Sequence, residues 1–526
     1  MKTAGEGNKK NEKFASFFKK LERVGNKLPH PVWIFMFLIL VTLIASWIFS
    51  SMGVTVKYMA VEGKEVVEQT ASVVNLLSKK EFPKLFSDFT SNILSNAVIG
   101  NVITISMCMM IAEATGFFDA FFRKVLLGAP KVLITFILAF VGVNANIAGD
   151  AGNVLAATLG GVVFQAIGRN PVIGVITGFS AASAGYTANL MIANQDVTLS
   201  ATTTAVTKFL GFAEFHPLIN WYFMAFSTIV LAVVCTIVSE KIVSPLIGDY
   251  KTLGDSSGME KHKVSAEEAR GLRFSGIAML VYIAVLLAVT IPSNGLLRNA
   301  NGTLIPKSPF ISSIVVIVAL MFAILGASYG FGSKRITTWN DIPQLMKKGI
   351  SRVASMILIL AWVAQFVAIF GRSNLATIVS VKGQQLLEAI NLQGLPLLLV
   401  FIVVVIFMDL FMTSGSNKFF ILAPIFVPMF ARMGINPAIT QVAYRIGDTV
   451  ANPLSPLGST LPVAIALVEE YWDKNRKDRP GLGTVISYNL PFSISFLITL
   501  VVIFVLFYAF NLPMGPAIPE MSLLVK

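Results

Sequence analysis

The sequence predicts an all-α polytopic membrane protein of about nine transmembrane helices plus two re-entrant hairpins in an inverted repeat, an ion-transporter-like fold. Three observations carry that expectation. Hydrophobic residues make up 55% of the 526-residue chain and charged residues only 13%, where a soluble domain carries about 25% charge; mean hydropathy is +0.74. Apolar runs long enough to cross a bilayer are separated by short basic loops, and this positive-inside pattern accounts for the net charge of +13. Finally, two pairs of short apolar arms each flank a polar tip, and in each half an Asn-Pro turn and an interrupted crossing follow.

Residues 1–30 form a basic head (Lys9, Lys10, Lys19, Lys20, Arg23 among others) that the positive-inside rule places in the cytoplasm. The head is polar to about Pro31, so no cleavable signal peptide is expected. Val32–Met52 is the first span, which puts the polar stretch from Val54 to Phe89 outside. A second span, about Ser91 to Thr115, returns to Arg123, Lys124 and Lys131. Two arms, Val132–Val143 and Val154–Ile167, then surround Asn144–Asn153. Each is short of the roughly 20 residues a crossing takes, so 132–168 reads as hairpin 1, entering from the cytoplasmic side. A crossing that begins at Pro171 loses its hydrophobicity at Ala193-Asn194-Gln195-Asp196 and resumes to Leu210; Trp221–Ser239 returns.

That first membrane half, 31–245, is joined by a charged cytoplasmic linker, 246–272, to a second half, 273–512. Its spans are 277–291, 311–325 and 354–370, followed by hairpin 2 over about 395–434, with arms Leu397–Asp409 and Phe419–Phe430. A second broken crossing runs from Pro437 to about Val468. A last span, 486–507, puts the tail 513–526 outside.

The halves share short matches in the same order. Gly168-Arg169-Asn170-Pro171 answers Gly434-Ile435-Asn436-Pro437, and Gly185-Tyr186-Thr187-Ala188-Asn189-Leu190 answers Gly447-Asp448-Thr449-Val450-Ala451-Asn452-Pro453-Leu454. Loop charges give the two hairpins opposite entry, so the halves are inverted. In such a repeat both tips meet both helix breaks near the midplane, where helix N-termini suit an anion and unwound carbonyls suit a hard cation. For the coupling ion, a sodium ion or a proton, the candidates are Asn146, Asp150, Asn189, Asp448 and Asn452. Asp150 reads equally as the soluble end of a crossing. The second tip offers Ser416, Asn417 and Lys418, the last either a substrate contact or a snorkelling lysine. Asp409 is a second proton site or a partner of Lys418. Arg445 and Asp448 stand three apart on one helix face. They form a structural salt bridge, or Arg445 is free for a substrate carboxylate when Asp448 takes a proton or cation.

The chain also resembles the AbgT family of p-aminobenzoyl-glutamate transporters. The likeness rests on Glu22-Arg23-Val24-Gly25-Asn26-Lys27-Leu28-Pro29-His30-Pro31, Asn220-Trp221-Tyr222-Phe223, Ala423-Pro424-Ile425-Phe426-Val427-Pro428-Met429, Tyr444-Arg445-Ile446-Gly447-Asp448 and Leu512-Pro513-Met514-Gly515-Pro516. The resemblance implies a homodimer in the bacterial inner membrane. It implies cation- or proton-coupled movement of p-aminobenzoyl-glutamate, or efflux of sulfonamide-type antimetabolites, with functional positions at Asp196, Ser416, Pro437, Arg445, Asp448 and Pro456. Where relatives carry Trp after the second tip this chain has Phe419, an aromatic that could still stack on an aminobenzoyl ring.

The expected activity is therefore secondary transport of an aromatic dicarboxylate, with a sodium-coupled dicarboxylate or citrate carrier as the alternative. An enzyme is disfavoured because no nucleophile with a base and no Asp, Glu or His metal motif is visible. Cys108 and Cys235 lie in apolar runs, and His30, His216 and His262 are scattered, so no cofactor is expected. No nucleic-acid motif is present; the expected partners are a small anion, the lipid bilayer and a second copy of the chain.

Overall fold

A computed structural model describes residues 30–518 apart from 63–64, 95–96, 211, 213, 249–261, 305–307, 456–457, 474–478 and 517. The basic head up to residue 29, the middle of the linker (249–261), Pro456 and the end of the tail lie outside the described residues. Among the described residues seven helices are long and apolar enough to cross a bilayer, and nine such units result if each of two bent pairs counts as one.

The first half opens with α1 (Pro31–Ser51), whose proline at the first helical position follows His30 as cap. The polar stretch after it, unassigned from sequence, folds as an antiparallel pair, β1 (Thr55–Glu62) and β2 (Glu65–Ser72), with Val56 opposite Ala71. Two one-turn helices, Phe82–Ser87 and Phe89–Leu94, lead to α2 (Ala97–Ala114). Gly116, at φ +81°, turns the chain into α3 (Phe117–Leu127), and the pair is bent by 56°. Hairpin 1 is α4 (Ile134–Ala145) and α5 (Asp150–Ala166). Its tip turns at Gly149, whose φ of +60° and ψ of −144° only glycine adopts freely. Then come α6 (Pro171–Ala184), α7 (Asn194–Thr207) and α8 (Trp221–Val238). The second half holds α9 (Ala266–Thr290), α10 (Ile314–Gly332) and α11 (Asp341–Arg372). An amphipathic helix with no counterpart in the sequence reading, α12 (Leu375–Ala389), meets α13 (Gly394–Asp409) at 111°. Hairpin 2 joins α13 to α14 (Gly415–Arg432), and α15 (Pro437–Ala451), α16 (Leu461–Glu470) and α17 (Leu482–Ala509) follow.

The duplication is visible in local chemistry. The Asn170 side chain accepts a hydrogen bond from Val172 N (3.0 Å) at the start of α6, and that of Asn436 accepts from Ala438 N (2.9 Å) at the start of α15; each cap is followed by proline at the first helical position. Just before the two breaks the matched residues Thr187, which follows α6, and Thr449, in the last turn of α15, touch through their hydroxyls. Residues related by a twofold axis can touch their own equivalents only on that axis, which here runs between the two threonines. Close helix crossings rest on small residues. Gly160 of α5 faces Gly174 of α6, and Gly178 faces Ala156, in a Gly174-Val175-Ile176-Thr177-Gly178 spacing. The outer faces of α1 and α9 remain apolar, with Trp33, Phe37, Ile277 and Leu280 all more than 60% exposed, the surface a lipid-facing helix presents.

Candidate functional site

The site is built where α15 passes between the two tips. Arg445 and Asp448 lie on that helix, 1% and 0% exposed, yet they do not pair with each other. Arg445 Nη2 is 2.7 Å from Asp196 Oδ1, and its Nη1 donates to the Tyr186 carbonyl at 3.0 Å. Asp448 Oδ1 is instead 2.8 Å from Lys418 Nζ, which also contacts Asp409. This corrects the expectation of an Arg445–Asp448 bridge and that of a snorkelling lysine, since Lys418 is fully buried. The reason is positional. Asp409 ends α13 and Lys418 stands in the first turns of α14, so the hairpin folds the lysine back onto the carboxylate. Asp196 in the first turn of α7 accepts from Ala193 N at 2.7 Å, capping that helix while it faces Arg445.

Backbone and neutral groups knit the cluster together. Thr187 Oγ1 donates to the Arg445 carbonyl at 2.7 Å, the Tyr444 hydroxyl donates to the Gly415 carbonyl, and Gln195 Nε2 lies 3.5 Å from Asp448 Oδ2. Sequence reasoning singled out neither Tyr186, Gln195 nor Tyr444 as site residues. Two signals could have found them: Tyr186 occupies the place of Asp448 in the repeat, and Gln195 adjoins Asp196 in the first break.

Three cavities meet beside the cluster, and Asp150 lines all of them. One, of about 340 Å³, lies between the tips, with Asp150 and Asn153 on one side, Ser414, Gly415 and Ser416 on the other, and Asn452 at the second break. The first turns of α5 and α14 thus open onto one space, which favours negative charge. Asp150 accepts a hydrogen bond from Ser459 Oγ at 3.1 Å, a contact between the halves. A second cavity, of about 240 Å³, includes Asn146 and Ser416; Asn146 Nδ2 also donates to the Gly185 carbonyl at 3.1 Å.

Other sequence candidates stand apart from this space. Phe419 is 1% exposed and packs on Tyr444 with ring centroids 4.7 Å apart, lining none of the three cavities; it is a packing residue behind the tip rather than a platform open to a ligand. Asn417 lies in the first turn of α14, its backbone N–H donating to the cap hydroxyl of Ser414 at 3.4 Å. Asn189 is buried, with Oδ1 accepting from Met191 N at 3.0 Å. Pro437 starts α15, about 12 Å along the axis from Arg445 at 1.5 Å per residue. Pro456 is outside the described residues.

The sequence model of the AbgT transporter family matches residues 16–522, nearly the whole chain. The chain belongs to the AbgT family. A p-aminobenzoyl-glutamate transport protein of Escherichia coli (strain K12) is 33% identical over 505 residues, covering 95% of this chain and 96% of that protein. Two solved AbgT structures share the architecture. Neisseria gonorrhoeae MtrF, described with a class of antimetabolite efflux pumps, superposes with a TM-score of 0.88 at 32% identity, covering 95% of this chain and 99% of that one. The Alcanivorax borkumensis YdaH transporter gives 0.83 at 28% identity, covering 93% and 100%. This AbgT chain is thus a multi-pass membrane transporter, and its charged cluster and cavities lie inside a transport fold.

Proposed function

We propose that this AbgT member is a secondary active transporter of p-aminobenzoyl-glutamate or a related aromatic dicarboxylate, working as a homodimer in the bacterial inner membrane and driven by a cation or proton gradient. One observation carries the reading. Among the described residues, the carboxylates of Asp196, Asp409 and Asp448 are ion-paired with just two cations, Lys418 and Arg445, in a buried cluster at the junction of the halves. Three carboxylates against two cations, with Lys418 shared by Asp409 and Asp448, leave the cluster one negative charge out of balance. A buried charge of that kind is costly unless compensated, and a proton or a sodium ion is the compensation a coupled carrier would use. The cluster is one helix turn from the tip that carries Ser416, so its occupancy bears directly on how hairpin 2 seats against the cavity. The Escherichia coli relative supplies the substrate class.

The test is counterflow in proteoliposomes with labelled p-aminobenzoyl-glutamate against succinate and citrate, followed by flux under sodium and pH gradients imposed separately. Wild type is expected to exchange the first and to respond to one gradient. Asp448→Asn removes the unbalanced charge, so exchange should persist while the gradient response is lost. No exchange of p-aminobenzoyl-glutamate by wild type, with exchange of citrate, would sink the substrate; an unchanged gradient response in Asp448→Asn would sink the role of the cluster.

A further inference from the structure

The cation that a dicarboxylate would meet first is not Arg445. That guanidinium is 1% exposed, has Nη2 on Asp196 and Nη1 on the Tyr186 carbonyl, and lines none of the three cavities. The charged side chains that do line them are Glu113, Asp119, Asp150 and Arg352, so Arg352 on α11 is the one cation on those walls. Its side chain is 44% exposed, and its guanidinium is held by Glu113 of α2. It also reaches the tip of hairpin 1: a side chain at Gly149 would place Cβ 3.2 Å from Arg352 Nη2, and the glycine leaves that approach open.

The surroundings in this cavity suit an aromatic amide with a carboxylate. Met109, Met110 and Met356 offer a flexible, polarizable wall for a ring. Asn194, Gln195 and Ser416 offer amide and hydroxyl groups for the linking amide. Asp119 is neutralised by Arg123 at 2.6 Å, which leaves Arg352 as the guanidinium whose partner can be exchanged.

Resting on the transporter reading above, we infer that Arg352 is the substrate-carboxylate receptor of this AbgT chain, with Glu113 as its place-holder. An incoming carboxylate takes the planar two-donor edge of the guanidinium in exchange for Glu113, which is released to the cavity water. A ligand without a carboxylate cannot make that exchange, since displacing Glu113 would leave both ions unpaired. The pair therefore selects anions over their neutral analogues.

The experiment measures uptake kinetics in proteoliposomes for p-aminobenzoyl-glutamate and for its uncharged diamide. Wild type should favour the dianion. Arg352→Gln should raise KM for the dianion roughly tenfold or more, the loss of one charge-assisted carboxylate contact, and leave the diamide unchanged. Arg352→Lys should recover part of the loss. Glu113→Gln breaks the same ion pair but keeps the guanidinium, so it should lower KM for the dianion. If Arg352→Gln keeps the wild-type preference, or if Glu113→Gln weakens both ligands as much as Arg352→Gln does, the assignment is overturned while the transporter reading stands. If wild type carries neither ligand, the substrate reading and this assignment fall together.

Discussion

Replacing Lys418 by methionine is the sharpest perturbation of the buried cluster. Its Nζ contacts Asp409 and lies 2.8 Å from Asp448 Oδ1, with none of the three side chains more than 1% exposed. At that separation one ion pair carries roughly 6 kcal/mol of attraction at an effective dielectric of about 20, much of it offset by desolvation. Removing the lysine strands two carboxylates, and breaking a buried pair in this way costs about 3–5 kcal/mol. Asp409→Asn alone leaves Lys418 with Asp448 and a cluster of zero net charge, so its cost should be below about 1.5 kcal/mol. The double variant has the wild-type net charge again and should be more stable than Lys418→Met by about 2 kcal/mol, a coupling well above the additivity limit. Reversible unfolding of the purified protein in mixed micelles, titrated with SDS and followed by tryptophan fluorescence, reads all four proteins. Additive effects, or a Lys418→Met protein within about 0.5 kcal/mol of wild type, would show that these three groups are not charged together.

Three further outcomes follow from local chemistry. Asn170→Ala and Asn436→Ala remove equivalent helix caps and should each cost about 1 kcal/mol in the same unfolding titration; a large difference between them would argue against equivalent halves. Gly447→Ala would put a methyl group 2.6 Å from Val405 Cβ and 2.8 Å from Ile402 O, an overpacking cost of about 1–3 kcal/mol that should appear as lost monodispersity on size exclusion, whereas Gly483→Ala, with open space around it, should not. Outside the spans, hydrogen bonds from Arg372 and then Ser87 hold the Asp88 carboxyl below its ordinary value. A carboxyl with a depressed folded value stabilises above the unfolded value of roughly 3.9 and loses that contribution as pH falls through the lower folded value. Asp88→Asn should therefore lower stability slightly at neutral pH, leave the acid end unchanged and so flatten the acid limb of a stability-against-pH curve.

Much of the scaffold was legible because its signals are local. Arm lengths, the Asn-Pro caps and the order of elements are written in short stretches, and these give the hairpins and the breaks. Pairing was less legible. Spacing of three on a helix suggests that Arg445 and Asp448 should meet, but such a pair stabilises a helix by only about 0.2–0.5 kcal/mol. Here each residue is drawn to a buried partner on another element, Asp196 or Lys418, and those contacts prevail. Phe419 could be read as a platform because a tip residue is exposed in an isolated hairpin; docking of Tyr444 against it is a tertiary event that no periodicity records. Arg352 escaped for the opposite reason. It lies in the polar opening turns of α11, where sequence places an ordinary cytoplasmic arginine, and only the folding of Gly149 beneath it brings it to a cavity.

The duplicated scaffold is loaded unequally, and that has a physical consequence. By the match of Thr187 to Thr449, Tyr186 stands for Asp448 and Ser183 for Arg445. The first-half residues are neutral and line the cavity; the second-half residues are charged and buried behind it. Were both tips equally charged, a change of one charge would act on them symmetrically and favour neither side of the axis. Asp409, Lys418 and Asp448 are all tied to hairpin 2 and α15, so a change of charge among them would bear first on the seating of that tip. On the proposed coupling, a twofold fold with one-sided electrostatics would respond to an ion in a direction, which a fully symmetric site could not.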